Sequence, residues 1–124
     1  MTQILALIVG SIAGGFSRYF LAGFISRVFD TAFPYGTLVV NLTGCLLIGL
    51  FSSLAEKKFL LGPSAQLLLM TGFCGAFTTF STFMLETGNL IRDGEASKAL
   101  LNVLVSVLAG FVCFKLGVIL GKII

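Results

Sequence analysis

Residues 71–83 read Thr71-Gly72-Phe73-Cys74-Gly75-Ala76-Phe77-Thr78-Thr79-Phe80-Ser81-Thr82-Phe83, in the middle of an apolar run. Two glycines, two adjacent threonines and a serine–threonine pair make poor helix. Glycine loses the most backbone freedom on folding, and short hydroxyl side chains compete for backbone hydrogen bonds. The stretch predicts a break in the helix near residues 75–79. Inside a bilayer, every amide and carbonyl that a break frees must be met by protein, water or an ion. Interrupted helices use such groups to coordinate ions at mid-membrane. Two glycines alone would fit a tight helix crossing equally well. The hydroxyl cluster beside them favours the break.

The surrounding run covers roughly residues 64–91, and three more apolar runs lie at roughly 3–25, 35–55 and 97–120. A spanning helix needs about 20 mostly apolar residues. The whole chain is 57% hydrophobic and only 10% charged, with a mean hydropathy of +1.10. A water-facing surface cannot be covered with so few charges, since soluble domains carry about 25%. The expected fold is an all-α membrane protein of four transmembrane helices, the third broken mid-membrane, forming one unit over residues 1–124. Asp30, Pro34 and Gly36 punctuate the first connector. Glu56-Lys57-Lys58 and Gly62-Pro63 mark the second, with Ser64 as the expected N-cap, and Arg92-Asp93-Gly94-Glu95 makes the last. Connectors this short leave no room for an extramembrane domain. The start, Met1-Thr2-Gln3, lacks a basic region, so the first run is expected to remain as a helix rather than serve as a cleaved signal.

The basic residues of the chain ends and connectors divide evenly. Lys57, Lys58 and Lys122 fall on one side, and Arg27, Arg92 and Lys98 on the other. Orientation is set by an imbalance of Lys and Arg. Three against three predicts insertion both ways round, and opposite copies can pair as an antiparallel homodimer about a twofold axis in the membrane plane. No basic stripe is present, which argues against nucleic acid as a partner. Cys45, Cys74 and Cys113 lie far apart in apolar runs and read as small buried hydrophobes. The chain contains no histidine, so histidine-based acid–base chemistry is excluded. No metal cluster or nucleophile–base pair stands out, and an enzyme is not expected.

Phe80 and Phe83 are three apart and share a helix face. A phenylalanine ring has a positive edge. Ring edges lining a narrow path offer an anion weak, repeated sites rather than a trap, as conduction requires. With thirteen phenylalanines, such rings also serve as plain apolar bulk. Asn41 in the second run, and Asn102 and Ser106 four apart in the fourth, place polar groups inside apolar spans. Such groups face a wet cavity or join helices together. Arg18, beside Ser17, sits deep in the first run, either snorkelling to the interface or drawing anions into a vestibule. Glu86 and Lys115 lie near span ends, within reach of the headgroup layer.

These residues bring a resemblance into view. Gly14-Gly15-Phe16-Ser17-Arg18-Tyr19, Gly36-Thr37-Leu38-Val39-Val40-Asn41 and the stretch 71–83 resemble the signatures of the Fluc, or CrcB, fluoride channels. The resemblance implies an antiparallel homodimer with two pores that passively export fluoride and lower its cytoplasmic level, in the cell inner membrane. It implies that Phe80 and Phe83 line the pores, that Asn41 faces fluoride, and that Ser81 and Thr82 form a polar track. On the fourth helix some members have tyrosine and serine facing the pore; Asn102 and Ser106 are the matches here, and one turn further on there is only Gly110. It also implies a structural sodium ion at the dimer centre, held by the backbone carbonyls of Gly75 and Thr78 from each subunit. Arg18 would face a vestibule and Glu86 a pore mouth. Ala76 departs from the family, which often has glycine there. The competing reading is a proton-coupled exporter of small cations, of the small multidrug-resistance type. That chemistry needs a carboxylate deep in the first span, and residues 1–29 contain none.

Overall fold

The computed structural model describes residues 1–58 and 61–124, so the second connector lies partly outside the described residues. The described residues contain four helical segments long and apolar enough to cross a membrane. Helix α1 is Thr2–Val28 and α2 is Tyr35–Lys58. The third span, Pro63–Arg92, divides into α3 (residues 63–77) and α4 (Phe80–Arg92). Helix α5, Ala96–Ile123, closes the chain. The protein is a multi-pass membrane protein.

Helix α3 starts one residue before the sequence expectation. Pro63 takes the first helical position and Gly62 the N-cap, with no side-chain capping bond, so Ser64 is not the cap. The fixed φ of proline suits that first position, where its missing N–H costs nothing. Residues Leu67–Cys74 then wind as a π-helix, wider than an α-helix. Runs of this kind are rare and concentrate at functional sites. Gly72 lies in this segment against α1, where an added Cβ would stand 2.9 Å from the Leu7 carbonyl oxygen. The reverse contact is as tight, since side chains at Gly10 and Gly14 would overlap the carbonyls of Leu68 and Phe73. Glycines on both helices therefore let α1 and α3 approach backbone to backbone, as small residues do in membranes.

A second seam joins α2 and α5. Gly110 lies against Cys45, Gly117 against Leu46 and Gly121 against Ser53, so the two helices run in the same direction. The turn from α4 to α5 is stopped by Gly94, whose φ is +80°. Glu95 N–H donates to the Leu90 carbonyl and Gly94 N–H to that of Ile91, which together close the end of α4. Lys98 pairs with Glu95 and Arg92 with Asp93 at this membrane-surface turn. The core is small, with Val40, Phe77, Phe83, Leu90 and Ala99 buried. The outer faces carry large exposed apolar residues, among them Ile8, Ile12, Phe16 and Phe20 on α1 and Leu104, Leu108 and Phe111 on α5. Lipid is the solvent that suits such faces. Cys45, Cys74 and Cys113 are free thiols, with Cys74 buried.

Candidate functional site

The third span leaves the helical conformation at Thr78 (φ −83°, ψ 158°) and Thr79 (φ −150°, ψ 119°). The interruption lies at the C-terminal end of the window 75–79 and about halfway along the span. Its hydrogen bonds explain why it persists. Thr79 N–H donates to Asn41 Oδ1 at 2.8 Å, and Asn41 Nδ2 donates back to the Thr79 carbonyl at 3.0 Å. The amide of Asn41 thus clamps one extended residue. Thr79 is the N-cap of α4, its Oγ1 accepting from Thr82 N–H at 3.3 Å and donating to Thr82 Oγ1 at 3.0 Å. The hydroxyl of Thr78 donates to the Cys74 carbonyl at 2.9 Å, within the last turn of α3.

These bonds divert donors from particular carbonyls. In an unbroken helix Thr79 N–H would serve the Gly75 carbonyl and Thr82 N–H that of Thr78. Here the first goes to Asn41 and the second to Thr79 Oγ1. The Thr78 carbonyl instead accepts from Arg18 Nη1 of α1 at 3.3 Å. Arg18 therefore reaches inward to the interruption and does not snorkel outward. Gly75 and Thr78 both line a cavity of about 360 Å³, together with Asn41, Cys74, Thr79 and Phe80.

A second cavity, of about 380 Å³, shares Thr79 with the first and gathers Arg18, Thr37, Thr82 and Glu86. Thr37 Oγ1 donates to Glu86 Oε1 at 2.9 Å, while Glu86 Oε2 is buried with no hydrogen-bond partner among the described residues. Because the hydroxyl of Thr79 donates to Thr82 Oγ1, the Thr82 O–H is directed away from that bond. Ser81 is exposed in the first turn of α4.

The rings of Phe80 and Phe83 lie 5.8 Å apart, tilted by 41°. They differ sharply in burial, Phe80 being 74% exposed and Phe83 8%. Asn102 is 1% exposed and donates to Thr87 Oγ1 at 3.0 Å. The Thr87 hydroxyl donates in turn to the Phe83 carbonyl at 2.7 Å. Asn102 is therefore tied to the backbone of Phe83 through one buried threonine. Ser106 Oγ, one turn along α5, is buried without a partner among the described residues. Lys115 stands apart, over the Phe111 ring at 5.4 Å.

Two residues in these networks, Thr37 and Thr87, carry no role in the sequence reading. Thr37 and Asn41 are four apart, as are Phe83 and Thr87, and that helical spacing was the available signal. Thr79 was visible as part of the break but not as its cap.

Comparison with known proteins supplies the family. The description "CrcB-like protein, Camphor Resistance (CrcB)" matches residues 5–118. A protein of Maridesulfovibrio salexigens named fluoride-specific ion channel FluC is 44% identical over 124 residues, covering 100% of this chain and 98% of that one. One of the same name from Chlorobaculum tepidum is 48% identical, with coverage of 99% and 97%. Another from Chlorobium phaeobacteroides is 46% identical, with coverage of 94% and 92%. A four-span chain clamped open in its third span and matched over almost its whole length in this way belongs to the CrcB family.

Proposed function

We propose that the chain is a fluoride channel that lets the anion leave the cell passively, working as an antiparallel homodimer with two pores. The observation that carries this reading is the clamped interruption at Thr78 and Thr79, with the Phe80–Phe83 ring pair beside it. The relatives bearing the fluoride-channel name support it across nearly the full chain. Fluoride is small and strongly hydrated. A path for it needs hydrogen-bond donors to replace lost water, without a full charge that would hold the ion. Asn41 keeps one amide N–H beyond its bond to Thr79, and Thr82 and Ser106 supply hydroxyls. Phe80 and Phe83 add ring edges. Arg18 lines the polar cavity, and Glu86 lines both that cavity and a third one, of about 300 Å³, walled by residues such as Thr31, Tyr35 and Asp93.

The dimer is supported by the even charge division and by the asymmetry of the ring pair. Phe83 is packed within its own chain, whereas Phe80 is left bare for a partner copy. The carbonyls of Gly75 and Thr78 fit sodium, a hard cation that takes oxygen donors, because both are denied their helical N–H and line one cavity. Two oxygens are too few for a cation, and a twofold axis through the site doubles them. When bound, sodium supplies the positive charge that holds these four oxygens together at the subunit contact.

Fluoride efflux from liposomes, read with a fluoride electrode, tests the reading. Phe80→Ile and Phe83→Ile should each reduce efflux strongly while the dimer remains intact by size-exclusion chromatography. Unchanged efflux in both variants removes the ring pair from the pathway. Efflux should also fail when sodium is fully replaced by a large organic cation during purification and assay.

A further inference from the structure

Arg18 is attached to the interruption from outside it. Its guanidinium crosses from α1 to the Thr78 carbonyl, a contact spanning 60 residues of sequence. That oxygen is one of the two assigned to sodium above, and Thr78 is among the residues lining the first cavity. The guanidinium itself lies in the second, polar cavity. Thr79, the next residue, lines both. The Thr78–Thr79 segment therefore joins the two cavities, and the Thr78 carbonyl oxygen meets the fixed positive charge of Arg18 directly.

We propose that Arg18 is a positioning residue that couples the two cavities through the Thr78 carbonyl: its guanidinium competes with a cation for this oxygen, and an anion beside Arg18 relieves the competition. The inference rests on the sodium reading given above. A carbonyl oxygen has two lone pairs, so a guanidinium and a cation can both reach it. Two positive charges on one oxygen nevertheless repel, and poor screening inside a membrane protein sharpens the effect. Arginine has five N–H donors in a planar fork and readily turns some of them to an anion. An anion in the polar cavity draws the guanidinium from Thr78 and offsets its charge, leaving the oxygen freer for the cation. Glu86 is the other charged side chain lining that cavity, and one of its oxygens is already held by Thr37. Coupling between sites is reciprocal, so a bound cation favours the anion by the same factor.

The test is a sodium titration of thermal unfolding on the purified full chain in detergent, at constant ionic strength, with and without saturating fluoride, and with chloride as control. In the unaltered protein fluoride should lower the sodium midpoint about fivefold, at the modest end of coupling between sites. Arg18→Gln should lower the midpoint in the absence of fluoride and abolish the fluoride shift. Arg18→Lys, which keeps the charge but loses the fork, should retain part of the shift. A sodium midpoint indifferent to fluoride in the unaltered protein overturns the coupling, and so does an unmoved midpoint in Arg18→Gln. If Arg18→Gln does not fold, the fluoride shift in the unaltered protein decides alone. Failure of sodium to stabilise the protein better than potassium defeats the sodium reading and the coupling together. Stabilisation by sodium that ignores fluoride defeats only the coupling.

Discussion

Replacing Asn41 with leucine, nearly the same size and shape, tests what keeps the third span open. The substitution removes two hydrogen bonds, of 2.8 and 3.0 Å, both to the backbone of Thr79. The two losses are unequal. The Thr79 carbonyl, at an N-cap, still has the first amide of α4 that points back to it. The Thr79 N–H has no such substitute, because its helical acceptor is out of reach once Thr78 is extended. Orphaning this part-buried donor within the bilayer costs about 1–3 kcal/mol and losing an ordinary bond about 1 kcal/mol, so the total is about 2–4 kcal/mol. That corresponds to roughly a thirtyfold to several-hundredfold fall in the folding equilibrium. SDS titration of the purified protein, followed by circular dichroism, measures the change, and liposome efflux measures its effect on transport. Asn41→Asp keeps the acceptor for Thr79 N–H and should lose less stability than Asn41→Leu. A Leu variant within about 0.5 kcal/mol of the unaltered protein, the scatter of a substitution that touches nothing important, would refute the clamp.

Thr87→Val should destabilise the protein by about 1–3 kcal/mol, because it leaves the buried Asn102 amide without its acceptor. Efflux should fall with it, since the same threonine ties the Phe83 backbone to α5; an unchanged melting midpoint would show that this chain of bonds holds nothing. Ser106→Ala should behave in the opposite way. Its hydroxyl is buried without a partner among the described residues, so the variant should melt at an equal or higher temperature while passing fluoride more slowly. A lower melting temperature would show that the hydroxyl serves the fold and not the ion.

The membrane spans were legible because lipid leaves little choice: about 20 apolar residues between polar connectors admit one reading. The interruption was legible for a local reason, since glycines and paired hydroxyls sit together at residues 72–82. Its clamp was not. Asn41 and Thr79 are 38 residues apart, and nothing in either neighbourhood names the other. The π-helical segment was also hidden. Leu67-Leu68-Leu69-Met70 is good α-helix former by propensity, and the widening shows only where α1 presses Gly10 against Gly72. The direction of Arg18 was open for a similar reason. Its partner is a backbone oxygen, exposed as an acceptor only after the break has formed. The N-cap of the third span was misread because Ser64 offers a strong local signal, and Pro63 fixes the start before it.

Cutting one helix in the middle creates two ends that point at each other, and they are electrically opposite. Helix α3 finishes with outward-facing carbonyl dipoles and so carries a partial negative charge at residues 75–78. Helix α4, thirteen residues long, begins at Phe80 with first-turn amides that have no helical carbonyl behind them, the Thr79 hydroxyl taking that of Thr82, and so carries a partial positive charge. Two extended residues separate these poles. A single interruption thereby gives the interior of the bilayer a place that favours a cation and, within a few ångströms, one that favours an anion. Neither requires an ionised side chain, so the polarity is present at any pH the bilayer itself survives.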